Sequence, residues 1–297
     1  MNKNPFLWLF IAIFFLLFPH SPSALEITAL GNLGNLFFDT GRTASLQSAN
    51  LPFQSNLAFW GTLSAEEALS DTLRFSASFE NDPLLRNRVY TRIGFDGGFV
   101  KLSVGPFFGP FNTADSILTS GLSTTLRLEL PGFVFGSFRS DSTIGAGISA
   151  PGDYVQERSE IAIGFWVPHV ITTLRIASDS FTEKQSATLN TKDNRTRYEL
   201  IAEVYKKNVP YTAKVHLGFQ SLSRSYIGTL GTSKDELGDL FVGLDLNAQV
   251  SEGLSILAGV ESPIYAWGIR GLASPSSSTI LYEVKTGVVY TFPKNIN

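Results

Sequence analysis

The stretch that most limits what this chain can become is Ile280 to Phe292, near its C-terminal end. Its even positions are Ile280, Tyr282, Val284, Thr286, Val288, Tyr290 and Phe292, and the intervening ones include Glu283, Lys285, Gly287 and Thr291. Successive side chains of a strand point to opposite faces, so this segment has one oily, aromatic face and one charged face. A strand of about 13 residues exceeds the usual five or six of a soluble sheet and suits a tilted crossing of a bilayer.

The same alternation recurs along the chain. It is weakest at 26–39, where Gly31 and Gly34 blur the two faces, and a polar segment, 40–55, follows. Leu57, Phe59 and Leu63 mark a second strand, closed by an Ala65–Glu67 link. Leu73, Phe75, Ala77 and Phe79 then oppose Arg74, Ser76, Ser78 and Glu80, and Val89, Thr91, Ile93 and Phe95 oppose Arg88, Tyr90, Arg92 and Asp96. Leu126, Leu128 and Leu130 oppose Arg127 and Glu129; a seventh strand follows whose facing the pattern leaves open. Further on, Arg158 and Glu160, Arg175, Arg197 with Glu199 and Glu203, Lys214 with His216, Asp245 and Glu261 each stand between apolar residues of their own strand. About fourteen strands result, with 12 or 16 as alternatives, in a single barrel domain over 25–297.

The links between strands sort into two kinds. Asp96-Gly97-Gly98, Pro131-Gly132, Pro168-His169 and Ser251-Glu252-Gly253 are tight turns that follow even-numbered strands. Links after most odd strands read as long and polar, as at 179–194 and 263–279, with one of middling length near 81–87. Short turns on one rim and long loops on the other, with an even strand count, are expected of a barrel threaded through a membrane. In hydrocarbon no water satisfies the backbone, so such a sheet must close and leave no edge. The charged positions are then the inner face. An Arg or Lys turned outward at the midplane would cost about 2–4 kcal/mol, so the register is firmly fixed.

Composition agrees where it bears on the matter. Charged residues make up only 16% and aromatics 12% with 24 Phe, which suits a surface that is not wholly wet. A net charge of -3 offers no basic field for nucleic acid, and the absence of Cys rules out thiolate metal sites, cysteine nucleophiles, disulfides and lipoprotein acylation. Lys3, the apolar run Phe6 to Phe18 and the small-residue stretch Pro19 to Ala24 form a secretory leader. As a helix that run reaches roughly 20 Å, too short for a core about 30 Å thick, so 1–24 is expected to be a cleaved signal peptide. Ser21 and Ser23 favour a cut before Ala24.

With its leader, alternating strands, two link classes and a final strand ending in Tyr290 and Phe292, the mature chain resembles the bacterial outer-membrane β-barrel class. By strand count it is similar to fourteen-stranded monomeric porins and to barrels that take up hydrophobic compounds, although the latter carry an N-terminal hatch for which 24–26 leave no room. The resemblance implies an all-β, closed, antiparallel, up-and-down transmembrane barrel in the outer membrane. It also implies a lipid bilayer, periplasmic chaperones, the barrel assembly machinery and small solutes as partners. Within the class the terminal aromatic often ends the chain as an assembly signal; here Pro293 to Asn297 follow it.

The expected lumen lining is Arg74, Arg92, Arg127, Glu129, Arg158, Glu160, Arg175, Arg197, Glu199, Lys214, His216, Asp245, Glu261, Glu283 and Lys285. These signs are mixed, so the lining reads either as a pore wall of weak selectivity or as a neutralised brace. Residues 105–111 form an aromatic link whose Phe107, Phe108 and Phe111 either fold inward as a constriction or settle at the interface. Gly145-Ala146-Gly147 and 228–231 read as flexible loops, without the strand-to-helix context of a phosphate loop. His216 is the one candidate for embedded acid or base work, and with Gly218 beside it on the same face and no hydroxyl at a useful spacing it reads as a polar lumen residue. No cofactor, metal or catalysis is expected. The function these observations point to is passive diffusion of small solutes through a porin-like channel. A structural or adhesive surface barrel with a plugged interior, an uptake barrel for hydrophobic compounds and a soluble secreted all-β binding protein are the alternatives.

Overall fold

The computed structural model describes residues 25–34, 58–82, 84–109, 119–144, 148, 151–205, 209–229, 231–269 and 283–292. The leader, the polar segment 40–55, Gly145-Ala146-Gly147, Phe111 and the last five residues lie outside these. The strands are β1 (Leu25–Gly34), β2 (Ala58–Ala68), β3 (Leu73–Asp82), β4 (Arg86–Asp96), β5 (Val100–Gly109), β6 (Thr119–Leu130) and β7 (Val134–Thr143). They continue as β8 (Tyr154–Val167), β9 (Val170–Ser186), β10 (Leu189–Tyr205), β11 (Tyr211–Gly228), β12 (Gly231–Ser251), β13 (Leu254–Ile269) and β14 (Glu283–Thr291). Each pairs antiparallel with its neighbours in sequence, and β1 pairs with β14, from Glu26 opposite Thr291 to Gly34 opposite Glu283, so the sheet is a closed up-and-down barrel.

The outer wall is apolar. Phe59, Ile93, Leu174, Leu217 and Leu246 are among the many large side chains that stand exposed on it, a continuous belt far larger than the patches a water-soluble protein shows. On β11 the belt runs from Tyr211 to Phe219, the height expected of a crossing strand. Its charged counterparts all point inward.

The structure corrects five readings of the chain, one of them the long link expected at 263–279, whose first part is strand because β13 runs on to Ile269. The Ala65–Glu67 link belongs to β2, and the turn comes at 69–72. The segment at 179–194 is not a loop: β9 runs on to Ser186 and β10 starts at Leu189, with a two-residue turn between them. Gly228 and Gly231, expected in a flexible loop, are register partners that end β11, of 18 residues, and begin β12, of 21. Finally, Phe107 and Phe108 stand on β5, so the expected aromatic loop is strand as far as Gly109. Strands β9 to β12 therefore rise well beyond the apolar belt, whereas β1 to β7 have 10 to 12 residues each.

Three inward aromatics share one packing device. Phe107, Phe135 and Phe241 each cover a glycine that is their register partner on a neighbouring strand, respectively Gly121, Gly164 and Gly218. A Cβ on any of these glycines would come within 2.2–2.4 Å of the ring. The ring covers backbone that glycine leaves bare, and a guanidinium covers two of the rings in turn: Arg127 lies 3.9 Å from the centroid of Phe135, and Arg197 lies 4.3 Å from that of Phe241.

Candidate functional site: the lumen

The interior is built from the polar halves of the alternating strands, and its most ordered part is a knot of charges around the β3–β4 hairpin. This hairpin tip folds into the barrel. Asp82 Oδ1 accepts hydrogen bonds from the backbone N–H groups of Leu84 (2.8 Å) and Leu85 (2.9 Å), which shapes the turn. Arg86 follows in a left-handed conformation, φ 59°. Leu84 and Leu85 are buried against Tyr154 of β8 and Phe181 of β9, on the far wall. Burying two leucines contributes about 1.5–3 kcal/mol each toward holding the tip there.

Charges fix the same tip. Arg195 of β10 reaches Asp82 at 2.8 Å and Asp179 at 2.5 Å, while Arg86 meets Glu183 of β9 at 2.7 Å and lies over the Phe181 ring. Glu80 receives Arg88 (3.1 Å), Arg139 (3.2 Å) and Arg158 (2.9 Å), and Arg158 also meets Asp179 at 2.8 Å. Asp141 accepts from Ser123 (2.5 Å), Tyr90 (3.0 Å) and Arg139 (2.8 Å). Gln156 donates to the carbonyl of Leu85 at 2.7 Å, and the Tyr154 hydroxyl donates to the carbonyl of Gly109. Four arginines (88, 139, 158, 195) thus meet four acids (Glu80, Asp82, Asp141, Asp179), and Arg88, Tyr90, Asp141 and Gln156 are fully buried. Low dielectric strengthens such contacts and makes each partner costly to remove.

The knot's height on the wall can be read from the residues on either side of its members. The outward neighbours of Asp82, Arg88, Asp141, Arg158, Asp179 and Arg195 include Asn81, Asn87, Ser140, Ser159, Ser178 and Asn194. Lys101, Arg127, Arg175, His216 and Asp245 instead stand between pairs such as Leu126 and Leu128, or Val215 and Leu217. The knot therefore sits at a polar collar above the apolar belt, on the rim where odd strands hand over to even ones. Below it, toward the tight turns, a recess of about 440 Å³ is lined by Glu66, Arg74, Ser76, Asp96, Lys101 and Arg127 among others.

The expected lining residues fall in several groups. Arg74 pairs with Glu66 at 2.8 Å near the tight-turn rim, and Arg127 pairs with Glu129 at 2.9 Å. Arg158 and Glu160 do not pair with each other: Arg158 joins the knot, and Glu160 binds Arg175 at 2.5 Å. Arg175 also meets Glu199 at 2.8 Å, and Arg197 links Glu199 (2.6 Å) to Glu261 of β13 (2.7 Å). Arg92 donates to Ser123 at 2.9 Å and lies 4.2 Å from the Tyr90 centroid. Lys214 pairs with Glu203 at 3.2 Å, His216 Nε2 lies 3.0 Å from Asp245, and Lys285 lies 3.2 Å from the same carboxylate. Glu283 faces Glu261 across the β13–β14 ladder. Phe107 points inward, wholly buried against Tyr90, whereas Phe108 points outward.

Sequence reasoning did not place Asp82, Arg139, Asp141, Asp179 or Arg195, nor the infolded leucines. The signal that was available is the pair of adjacent leucines, Leu84 and Leu85, inside an otherwise polar link. Among the described residues no group of three or more His, Cys, Asp or Glu side chains is placed to hold a metal.

No family model matches the chain, and no curated protein matches it. Among solved structures it is similar to an outer membrane channel of Pseudomonas putida F1, with 9% identity, 91% of this chain and 95% of that one covered, and a TM-score of 0.47. It is also similar to a porin, with 12% identity, 90% and 100% covered, and a TM-score of 0.43. A third is OmpT, an outer membrane protein of Vibrio cholerae, with 9% identity, 90% and 98% covered, and a TM-score of 0.41.

Proposed function

We infer that this protein is a bacterial outer-membrane channel through which small solutes diffuse, narrowed near its outer rim by the infolded β3–β4 hairpin. The observation that carries this reading is the contrast between an apolar outer belt and a charged, polar interior into which one hairpin tip is locked by Leu84, Leu85, Asp82 and Arg86. Inward residues tune which solutes pass in such barrels, and an inserted element sets the bore. In this reading 1–24 is removed on export, and periplasmic chaperones and the assembly machinery fold the rest into the outer membrane. Neither nucleic acid nor a cofactor takes part, and His216 is a polar lining residue, its crevice being lined by Asp245, Glu261, Glu283 and Lys285 without a hydroxyl group.

Full burial of Arg88, Tyr90 and Asp141 favours a second reading, a barrel plugged at the knot that acts through its surface. The apolar cluster at the tip supports hydrophobic uptake less well, because the chain's own leucines fill it. Planar-bilayer recording of purified wild type and of Leu84→Asp/Leu85→Asp tests these readings. Stepwise conductance in wild type that grows in the variant supports the narrowed channel. Silence in wild type with steps in the variant supports the plug, and silence in both sinks the channel.

A further inference from the structure

The charges of the lumen are not evenly shared around its wall. On β2 to β9, every inward acid from Glu66 to Glu183 on the described strands has an arginine or lysine in ion-pair contact, and the inward cation left without an acid there is Arg92. The opposite wall, β10 to β14 with β1, has the reverse imbalance. There Asp193, Glu199, Glu203, Asp245 and Glu261 are paired, but Glu26, Asp239 and Glu283 have no ion pair among the described residues.

Each of these three is left over for a visible reason. Glu283 stands directly opposite Glu261, whose single cation, Arg197, is already shared with Glu199. Asp239 is fully buried: Gln220 donates to its Oδ2 at 3.3 Å, and its Oδ1 has no hydrogen-bond partner. Glu26 is exposed at the tight-turn rim, where the nearby Arg74 is held by Glu66 and Asp96. The surplus therefore extends from one rim, at Glu26, up to the belt, at Glu283 beside the His216 crevice, with Asp239 buried in the wall above it. It lies on the side of the lumen away from the β3–β4 hairpin, whose tip leans on β8 to β10.

The geometry points to a lane along β12–β14 and β1 that passes cations, organic ammonium ions included, in preference to anions. This rests on the channel reading and adds to it a route and a charge preference that the pooled, mixed lining does not suggest. An unscreened carboxylate close to the path of a monovalent ion in water favours the cation by roughly fivefold, and salt weakens the effect.

The test is the reversal potential of single channels across a KCl gradient at low ionic strength. Wild type is expected to favour K⁺ over Cl⁻ by roughly fivefold. Glu26→Gln/Glu283→Gln should bring the ratio close to one, with Glu26→Gln alone giving a partial shift should the double variant fail to fold. Glu157→Gln, which removes an equal charge from the outer wall, should leave the ratio as it was. Steps without cation preference in wild type overturn the lane while leaving the channel intact, as does a preference that both lumen variants retain. Absence of steps overturns the channel and the lane together.

Discussion

At the residue scale, the lumen holds side chains that would be expensive to disturb for two separate reasons. Gly218 lies beneath Phe241, and a Cβ there would meet the ring at 2.4 Å and the carbonyl of Tyr198 at 2.6 Å. Gly218→Ala is expected to destabilise the barrel by about 1–3 kcal/mol through overpacking. Gly136→Ala, where nothing lies within 4 Å, should change little. Urea midpoints in detergent micelles check both, and equal effects would discard the stacking account. Arg195 shows the other reason. With Arg158 it links the hairpin's Asp82 to the wall's Asp179, and Arg195→Ala leaves two acids sharing Arg158 alone. The expected cost is about 3–5 kcal/mol, and Arg195→Ala/Asp82→Asn should recover part of it. These residues also show where the sequence was readable. Arg127 and Arg175 stand out because aliphatic neighbours flank each of them. Phe135 hid the facing of β7: it is an oily residue that points inward, where its ring covers Gly164, so the oily–polar alternation that marks the other strands fails there.

At the scale of elements, the decisive one is the β3–β4 hairpin. Its strands were legible, since Phe75, Phe79, Val89 and Ile93 alternate with charge, but its infolding was not. A turn of three residues has no periodicity to reveal a direction, and what draws Leu84 and Leu85 inward is a wall, Tyr154 and Phe181, that lies about 70 to 100 positions further along the chain. The upper halves of β9 to β12 were misread for a related reason. Above the apolar belt both faces are polar, as in Ser178-Asp179-Ser180 and Asp193-Asn194-Arg195, so alternation vanishes although the ladder continues. A spin label at Leu84→Cys should be immobile and shielded from a water-soluble quencher in the intact barrel. It should become mobile when Arg195 and Arg158 are both replaced by alanine. A label already mobile in the parent would remove the hairpin from the constriction.

At the scale of the whole molecule, closure of β1 on β14 and the apolar belt are two answers to one condition: hydrocarbon offers backbone groups no partner and charged groups no solvation. That part of the architecture was legible almost completely, because it is written in period two along most strands. The prediction belonging to this scale is that Leu217→Arg, in the belt, costs about 2–4 kcal/mol, far more than Ile227→Arg, exposed above it on the same outer face of β11. Unfolding from lipid vesicles measures the difference, and equal costs would mean that the belt is not where the bilayer lies. The tall flank formed by β9 to β12 has one more consequence. Beyond the belt, Lys184, Lys192 and Lys234 are carried on rungs of sheet rather than on slack chain. Trypsin added to whole cells needs an extended, unpaired segment to cut, so it should nick this flank slowly, and a tag inserted between Ala187 and Thr188 would be displayed outside on a stiff stalk.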